Sequence, residues 1–462
     1  MKLTFTEIAS CSHKFDYSNL SKSFNQVFNA RAGNILFERQ PDPNSLKTSP
    51  NSEDKIALKT PAVVNYTKFG LQPHTLPDME SKQYKPSINQ VFLEHFIEHN
   101  DSPLLTFKEG LHPFLALDSA DKILLLDALD HSHVNRTSYV PSNSFVQAET
   151  SGGLRKINTE FYSTIINTQN PDIYIPISDH IFMSISDAEK GKRIKKSVDR
   201  SISWITKIND QIKNRPVLFL PLMGSTDKAS RERFLESVSS VKYSGVVICD
   251  YGIKPSLFKQ LEIANYSLSC VDTNLPRYLV GFSAPDEVVV SVQNGIDLFS
   301  SIYPYSVTEQ GRASTYTFFV KNLPGEESPS NESSINLFDP KYKDDFKPIS
   351  SDCSCYTCSK HTRAYIYHLL STQEMLATVL LQSHNVHVYL EFFKDIRKSI
   401  SDGTFADDSI SFLNYYSSKF SLNTSTDPTN TRSLAFNEIS TFDPKKSTPT
   451  TKEKIKRFTQ VE

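Results

Sequence analysis

The sequence predicts an α/β protein built as a (β/α)8 TIM-type barrel, with a metal-binding subdomain toward its C-terminal end. Three observations lead there. Short apolar runs alternate with helical patterns through the middle of the chain, no G-x-G-x-x-G fingerprint follows any of those runs, and three cysteines crowd into six residues beyond them.

The runs short enough for strands are 172–177 (DIYIPI), 217–223 (VLFLPLM), 245–250 (GVVICD), 277–282 (RYLVGF) and 296–303 (IDLFSSIY). Helical patterns at 197–208, 230–241, 255–264 and 284–293 separate most of them. Apolar runs without alternation suit strands buried on both faces, and helices between them make parallel units. Five such units, with more sequence upstream, fit a closed barrel better than an open sheet. The missing glycine fingerprint argues against a dinucleotide-binding fold. The division expected is a barrel over 1–340, a metal-binding subdomain with C-terminal helices over 341–421, and a disordered tail over 422–462. Mobile linkers are expected near 40–54 and 323–336, where Pro, Ser and Asn replace apolar residues.

Charge is nearly balanced across the 462 residues, with 50 Lys+Arg against 52 Asp+Glu. That excludes the strongly basic profile of a stand-alone nucleic-acid coat. Only 14 glycines occur, where average usage would give roughly thirty. No apolar run is long enough to span a bilayer, so no integral membrane segment is expected. Clustered rather than dispersed cysteines fit a reducing compartment, and the location expected is the cytoplasm.

The crowded cysteines are Cys353, Cys355 and Cys358, and His384 follows after 25 intervening residues. A helical pattern over 363–381 returns the chain toward them. Three thiolates and one imidazole make a closed tetrahedral zinc site, structural because no position is left for a substrate. One Zn2+ per chain is expected. His361, His368 and His387 compete for the fourth place; His384 is favoured, since His361 is too near in sequence to fold back onto the knuckle. Cys249 and Cys270 sit in or beside apolar sequence and read as buried thiols, and the lone Trp204 reads as a packing residue.

The pattern Cys-x-Cys-x2-Cys-x25-His, followed by His384-Asn385, resembles the zinc site of the tRNA-guanine transglycosylases. The stretches 353–370 (CSCYTCSKHTRAYIYHLL) and 277–299 (RYLVGFSAPDEVVVSVQNGIDLF) are similar to that family as well, and the likeness runs from about 153 to 403. It implies a (β/α)8 barrel, a zinc subdomain that helps build a dimer interface, and exchange of guanine at the tRNA wobble position for a queuosine-pathway base, queuine in eukaryotes.

That reaction needs a carboxylate to attack the ribose anomeric carbon and displace the base. The family pattern Gly-Ile/Val-Asp-Met-Phe-Asp-Cys places the nucleophile at its second Asp. Here the chain reads Gly295-Ile296-Asp297-Leu298-Phe299-Ser300-Ser301, so the nucleophile position is Ser300. Asp297 lies three positions away and faces the other side of a strand. Other motifs depart too. The family's Asp-Ser-Gly-Gly-Phe/Tyr-Gln survives only as the partial look-alikes Asp118-Ser119-Ala120 and Thr150-Ser151-Gly152-Gly153-Leu154. Met223-Gly224 stands where a base-reading Gln-Gly belongs, Cys249-Asp250 replaces a Gly-Gly, and 304–311 replaces an arginine-bearing loop.

This set of losses, with Pro304-Tyr305-x-Val307-Thr308-Glu309-x-Gly311 and Lys196-Ser197-Val198-Asp199-Arg200-Ser201, resembles the non-catalytic eukaryotic branch of the family. That branch implies an accessory chain with no catalytic residues of its own. Its partners would be the catalytic queuine tRNA-ribosyltransferase subunit, in a heterodimer, and tRNA. A peripheral place at the mitochondrial outer membrane is a further implication. The alternatives are a self-sufficient transglycosylase using an unrecognised nucleophile, or a zinc-containing tRNA-binding module. For tRNA contact the candidates are Lys192, Arg193, Lys195, Lys196 and Arg200, a basic run whose plain alternative is a solvated helix start.

Overall fold

The computed structural model describes residues 2–14, 27–38, 55–75, 87–98, 102–117, 120–132, 142–181, 187–214, 216–225, 227–248, 265–281, 284–320 and 333–417. The expected linker at 40–54, most of the one near 323–336, the tail over 422–462, the helix at 255–264 and the Cys249-Asp250 pair lie outside them.

Three strands open the chain as an antiparallel sheet: β1 (Lys2–Lys14), β2 (Val27–Glu38) and β3 (Lys55–Thr60), in the order β1-β2-β3. Eight parallel strands then close a barrel. In chain order they are β4 (Ala62–Tyr66), β5 (Ser87–Phe92), β6 (Lys122–Asp127), β9 (Ile173–Tyr174), β10 (Val217–Pro221), β11 (Gly245–Ile248), β12 (Arg277–Leu279) and β13 (Leu298–Ser300). Each hydrogen-bonds to the next, and β13 pairs with β4 to shut the ring, with Leu298 opposite Ala62 and Ser300 opposite Val64. The hairpin of β7 (Phe145–Thr150) and β8 (Gly153–Asn158) is inserted between β6 and β9. Its turn is Thr150–Gly153, so that look-alike motif is the turn of a β-hairpin.

The barrel helices are α1 (Thr159–Gln169), α2 (Asp187–Gln211), α3 (Lys228–Ser237), α4 (Pro285–Gln293) and α5 (Ile302–Glu309). Beyond them β14 (Arg312–Ser314) pairs with β15 (Ser334–Asn336). The chain then runs through α6 (Tyr356–Lys360), α7 (Arg363–Ser371), α8 (Met375–Asp402) and α9 (Phe405–Ser417).

Four expectations are corrected. The apolar run 296–303 is not one strand: β13 stops at Ser300 and α5 begins at Ile302. Most of α5 is buried, so its sequence carries no period that separates strand from helix. The helical pattern at 363–381 is two helices, broken at 372–374 where Gln373 takes a left-handed backbone with φ of 59°. Ser334–Asn336, expected to be linker, is a strand. Of the two thiols read as buried, Cys270 is exposed. Trp204 is core, 1% exposed, with its indole N–H donated to the Asn143 carbonyl at 3.0 Å. Among the described residues no helix is long and apolar enough to cross a membrane.

Candidate metal centre and barrel mouth

The metal centre forms where α6 meets α8. Cys355 caps α6, its sulfur accepting the Cys358 N–H at 3.3 Å. The Thr357 hydroxyl donates to the Leu380 carbonyl at 2.7 Å and ties this short helix to α8. His384, on α8 and fully buried, points Nδ1 at the three sulfurs: 3.7 Å from Cys353, 3.4 Å from Cys355 and 3.3 Å from Cys358. In a tetrahedral site with about 2.3 Å metal–sulfur and 2.0 Å metal–nitrogen bonds, those separations would be about 3.5 Å. The four ligand atoms all lie within 4.8 Å of one another, so they can hold a metal ion.

His384 Nε2 donates to the Ser314 carbonyl at 2.8 Å, which leaves the Nδ1 lone pair for the metal. Left to protons alone, burial opposes a charged imidazole there. The Cys353 and Cys358 sulfurs outweigh burial and lift His384 to about 9. Cys353 is drawn down by hydrogen bonds from Cys355 and Cys358. A metal would displace these shared protons. The four-atom cluster leaves the competing histidines out, although His387 lies close enough to hydrogen-bond Cys353. The His361 ring stacks on Tyr365, and His387 Nε2 lies 3.4 Å from the Ser354 hydroxyl.

At the C-terminal ends of the barrel strands, Ser300 is fully buried and its side chain lies beside the Tyr278 phenol. Asp297 is turned away, toward the opposite end of the barrel. There Arg31 from β2 grips it through Nε at 2.9 Å and Nη2 at 2.5 Å, and the Arg277 N–H adds a third bond at 2.8 Å. Arg31 also donates to the Thr273 and Leu275 carbonyls and lies over the Phe5 ring. This is a structural pair, and no local motif signals its 266-residue reach.

Two carboxylates of this end, Asp127 and Asp130, are engaged within the fold. Asp127 accepts from Gln90 Nε2 and pairs with His131, each at 3.0 Å, while the Tyr278 hydroxyl donates to Gln90 at 2.6 Å. Asp130 accepts the Tyr66 hydroxyl at 2.8 Å and pairs with His95 at 3.0 Å. Burial pushes the Tyr66 and Tyr278 phenols up, so both stay protonated donors. Tyr66, Phe92, Ile302 and Tyr305 form a separate apolar cluster that fills the space above β4, β5 and β13. Lys68 donates to the Tyr305 hydroxyl, and His74 pairs with Glu309 at 2.6 Å, latching 67–75 onto α5.

The hollow lined by Asp127, His131, Ser178 and His180 measures about 10 Å³, close to the space of one water. A larger cavity of about 280 Å³, lined by Lys68, Phe69, Glu94, His95, Glu98 and Asp130 among others, opens at the ends of β4 to β6 beside the hairpin. Met223 is 2% exposed. Gly224 has φ of +126° and a Cβ there would meet the Arg231 backbone at 2.8 Å, so this glycine is required by packing.

The basic run lies on α2 and divides by direction. Arg193 forms two bonds to the buried Asp179, at 2.7 and 2.6 Å, and Arg200 adds a third at 2.9 Å. Lys192, Lys195 and Lys196 are exposed.

Fold and site together define a closed (β/α)8 barrel with a Cys3His metal knuckle docked on its last strand–helix unit. A sequence model of the family "Queuine tRNA-ribosyltransferase" matches residues 45–418, and the chain belongs to that family. It is similar to the human protein "Queuine tRNA-ribosyltransferase accessory subunit 2", 29% identical over 382 residues that cover 76% of this chain and 91% of the human one. The zebrafish protein of the same name is 28% identical over 387 residues, covering 76% and 91%. The Aedes aegypti counterpart is 27% identical over 372 residues, covering 77% and 85%.

Proposed function

We propose that this chain is the accessory subunit of a queuine tRNA-ribosyltransferase. It would do no chemistry itself but pair with a catalytic subunit that exchanges guanine for queuine in tRNA. The carrying observation is the barrel mouth: the nucleophile position is a buried serine, Asp297 is paired with Arg31, and Asp127 and Asp130 are hydrogen-bonded within the fold. In the exchange, a carboxylate oxygen bonds to the ribose anomeric carbon as the bond to guanine breaks, and the incoming base then displaces it. Ser300 lies beside a phenol that remains protonated, and among the described residues no carboxylate or imidazole is hydrogen-bonded to its hydroxyl.

The metal in this reading is one structural Zn2+, held by Cys353, Cys355, Cys358 and His384. Three soft sulfur ligands and a completed tetrahedron favour zinc and leave no site for substrate. The exposed Lys192, Lys195 and Lys196 would meet tRNA phosphates, while Arg193 and Arg200 hold α2 to the barrel.

Exchange of labelled guanine in tRNA, measured with the isolated chain and with the chain plus its catalytic paralogue, tests this. Turnover is expected only in the mixture. Appreciable turnover by the isolated chain would overturn it.

A further inference from the structure

We propose that the dipeptide His384-Asn385 is a clasp through which metal occupancy holds the barrel mouth filled. The inference rests on a metal being bound at the knuckle.

The clasp grips one residue from both sides. His384 donates from Nε2 to the Ser314 carbonyl at 2.8 Å, and Asn385 Oδ1 accepts the Ser314 N–H at 2.8 Å. The Asn385 amide then donates to the Arg312 carbonyl at 3.0 Å and to the Thr308 hydroxyl at 2.9 Å. Both side chains are fully buried, so each bond forms away from water, and losing a partner strands a polar group. One turn further along α8, the Tyr389 hydroxyl donates to the Ser300 carbonyl at 3.3 Å. Helix α8 is thereby bonded to β14, to α5 and to the end of β13.

The direction of control follows from the ligand set. His384 can satisfy the metal and Ser314 together only in one ring orientation and one tautomer, so the metal selects the ring position that the clasp needs. Thr308 sits one turn after Tyr305 on α5, and Tyr305 packs with Tyr66, Phe92 and Ile302 over the mouth. Holding Thr308 therefore holds the aromatic filling in place. Asn385 and Tyr389 are positioning residues: they touch no metal, and they carry its effect to the barrel.

Amide hydrogen exchange on the full chain reads this directly, with metal content measured alongside. Stripping the metal with a chelator is expected to speed exchange at Ser314 and through α5 about tenfold, the weight of one lost buried hydrogen bond. Amides of β2, which pair with β1 and β3, should keep their rates. Asn385→Ala should retain stoichiometric metal yet show the same acceleration at Ser314, and Tyr389→Phe should confine the change to 300–303. If the metal-stripped chain and Asn385→Ala both keep native Ser314 and α5 protection, the clasp does not exist. A purified wild-type chain lacking metal would instead remove the metal reading, while the Asn385→Ala exchange pattern still judges the clasp.

Discussion

The knuckle and the barrel mouth are joined through α8, yet they treat chemistry-bearing residues in opposite ways. At the knuckle four ligand atoms converge, and the Cys355 sulfur and the His384 ring are each held by a further hydrogen bond. At the mouth Asp127 and Asp130 pair within the fold, Asp297 turns toward the far end of the barrel, and aromatic rings pack above β4, β5 and β13, leaving a cavity of about 280 Å³ beside the hairpin. The same chain thus has one region organised to receive a ligand and another whose polar groups pair within the fold.

Substitutions sharpen that contrast, beginning with the largest effect. Cys355→Ser should lower metal content to near zero and disrupt heterodimer formation. Metal binding at such sites is worth on the order of 10 kcal/mol. Elemental analysis and thermal unfolding read it, and a stoichiometric metal complement in the mutant would contradict the ligand assignment. Next comes Arg31→Ala, which leaves Asp297 buried without its guanidinium. Urea unfolding should show a loss of about 3–5 kcal/mol. A loss under 1 kcal/mol would mean that water or another cation reaches that carboxylate.

Charge reversal at Lys195 and Lys196 should weaken tRNA binding by the assembled complex and flatten its salt dependence, with folding unchanged. Unchanged affinity at low and moderate salt would leave those lysines as solvated surface.

The smallest effect belongs to the His74–Glu309 latch. Burial raises the Glu309 carboxyl, but His74, Lys68 and Tyr305 together bring it below the usual glutamate value. A depressed folded-state value adds stability above the unfolded carboxylate pKa. That stability is lost as pH falls through the lower, folded-state one. The pair is partly exposed, so His74→Ala should cost no more than about 1 kcal/mol at neutral pH. Melting curves of mutant and wild type should converge below pH 4; a gap that widens toward acid would reverse the sign assigned to Glu309.

What the sequence made legible was local. Parallel strands such as 217–221 and 245–248 announce themselves as unbroken apolar runs, and three cysteines in six residues announce a ligand set whatever surrounds them. Illegible features depend on partners far along the chain or on direction. Nothing near Arg31 marks it as the counterion of Asp297, and nothing near Asn385 marks Ser314 as the residue it grips. The basic run on α2 reads as one patch in sequence, yet helical geometry sends Arg193 and Arg200 inward to Asp179 and Lys192, Lys195 and Lys196 outward. Helix α5 was hidden because most of it is buried, which erases its period.

The seam where β13 meets β4 carries a consequence for how the chain is made. Ser301 bonds to Val64, Ala62 to the Asp297 carbonyl, and Arg397 to the Pro61 carbonyl at 2.6 Å, so the first barrel strand waits for residues more than 200 positions downstream. Closing so long a loop is slow, and until it closes both strands present bare edges to other chains. A ribosome-bound fragment ending before 298 therefore holds an open, adhesive sheet. Helix α8, whose Arg397 reaches across the seam, seals the ring only once the knuckle itself has been synthesised.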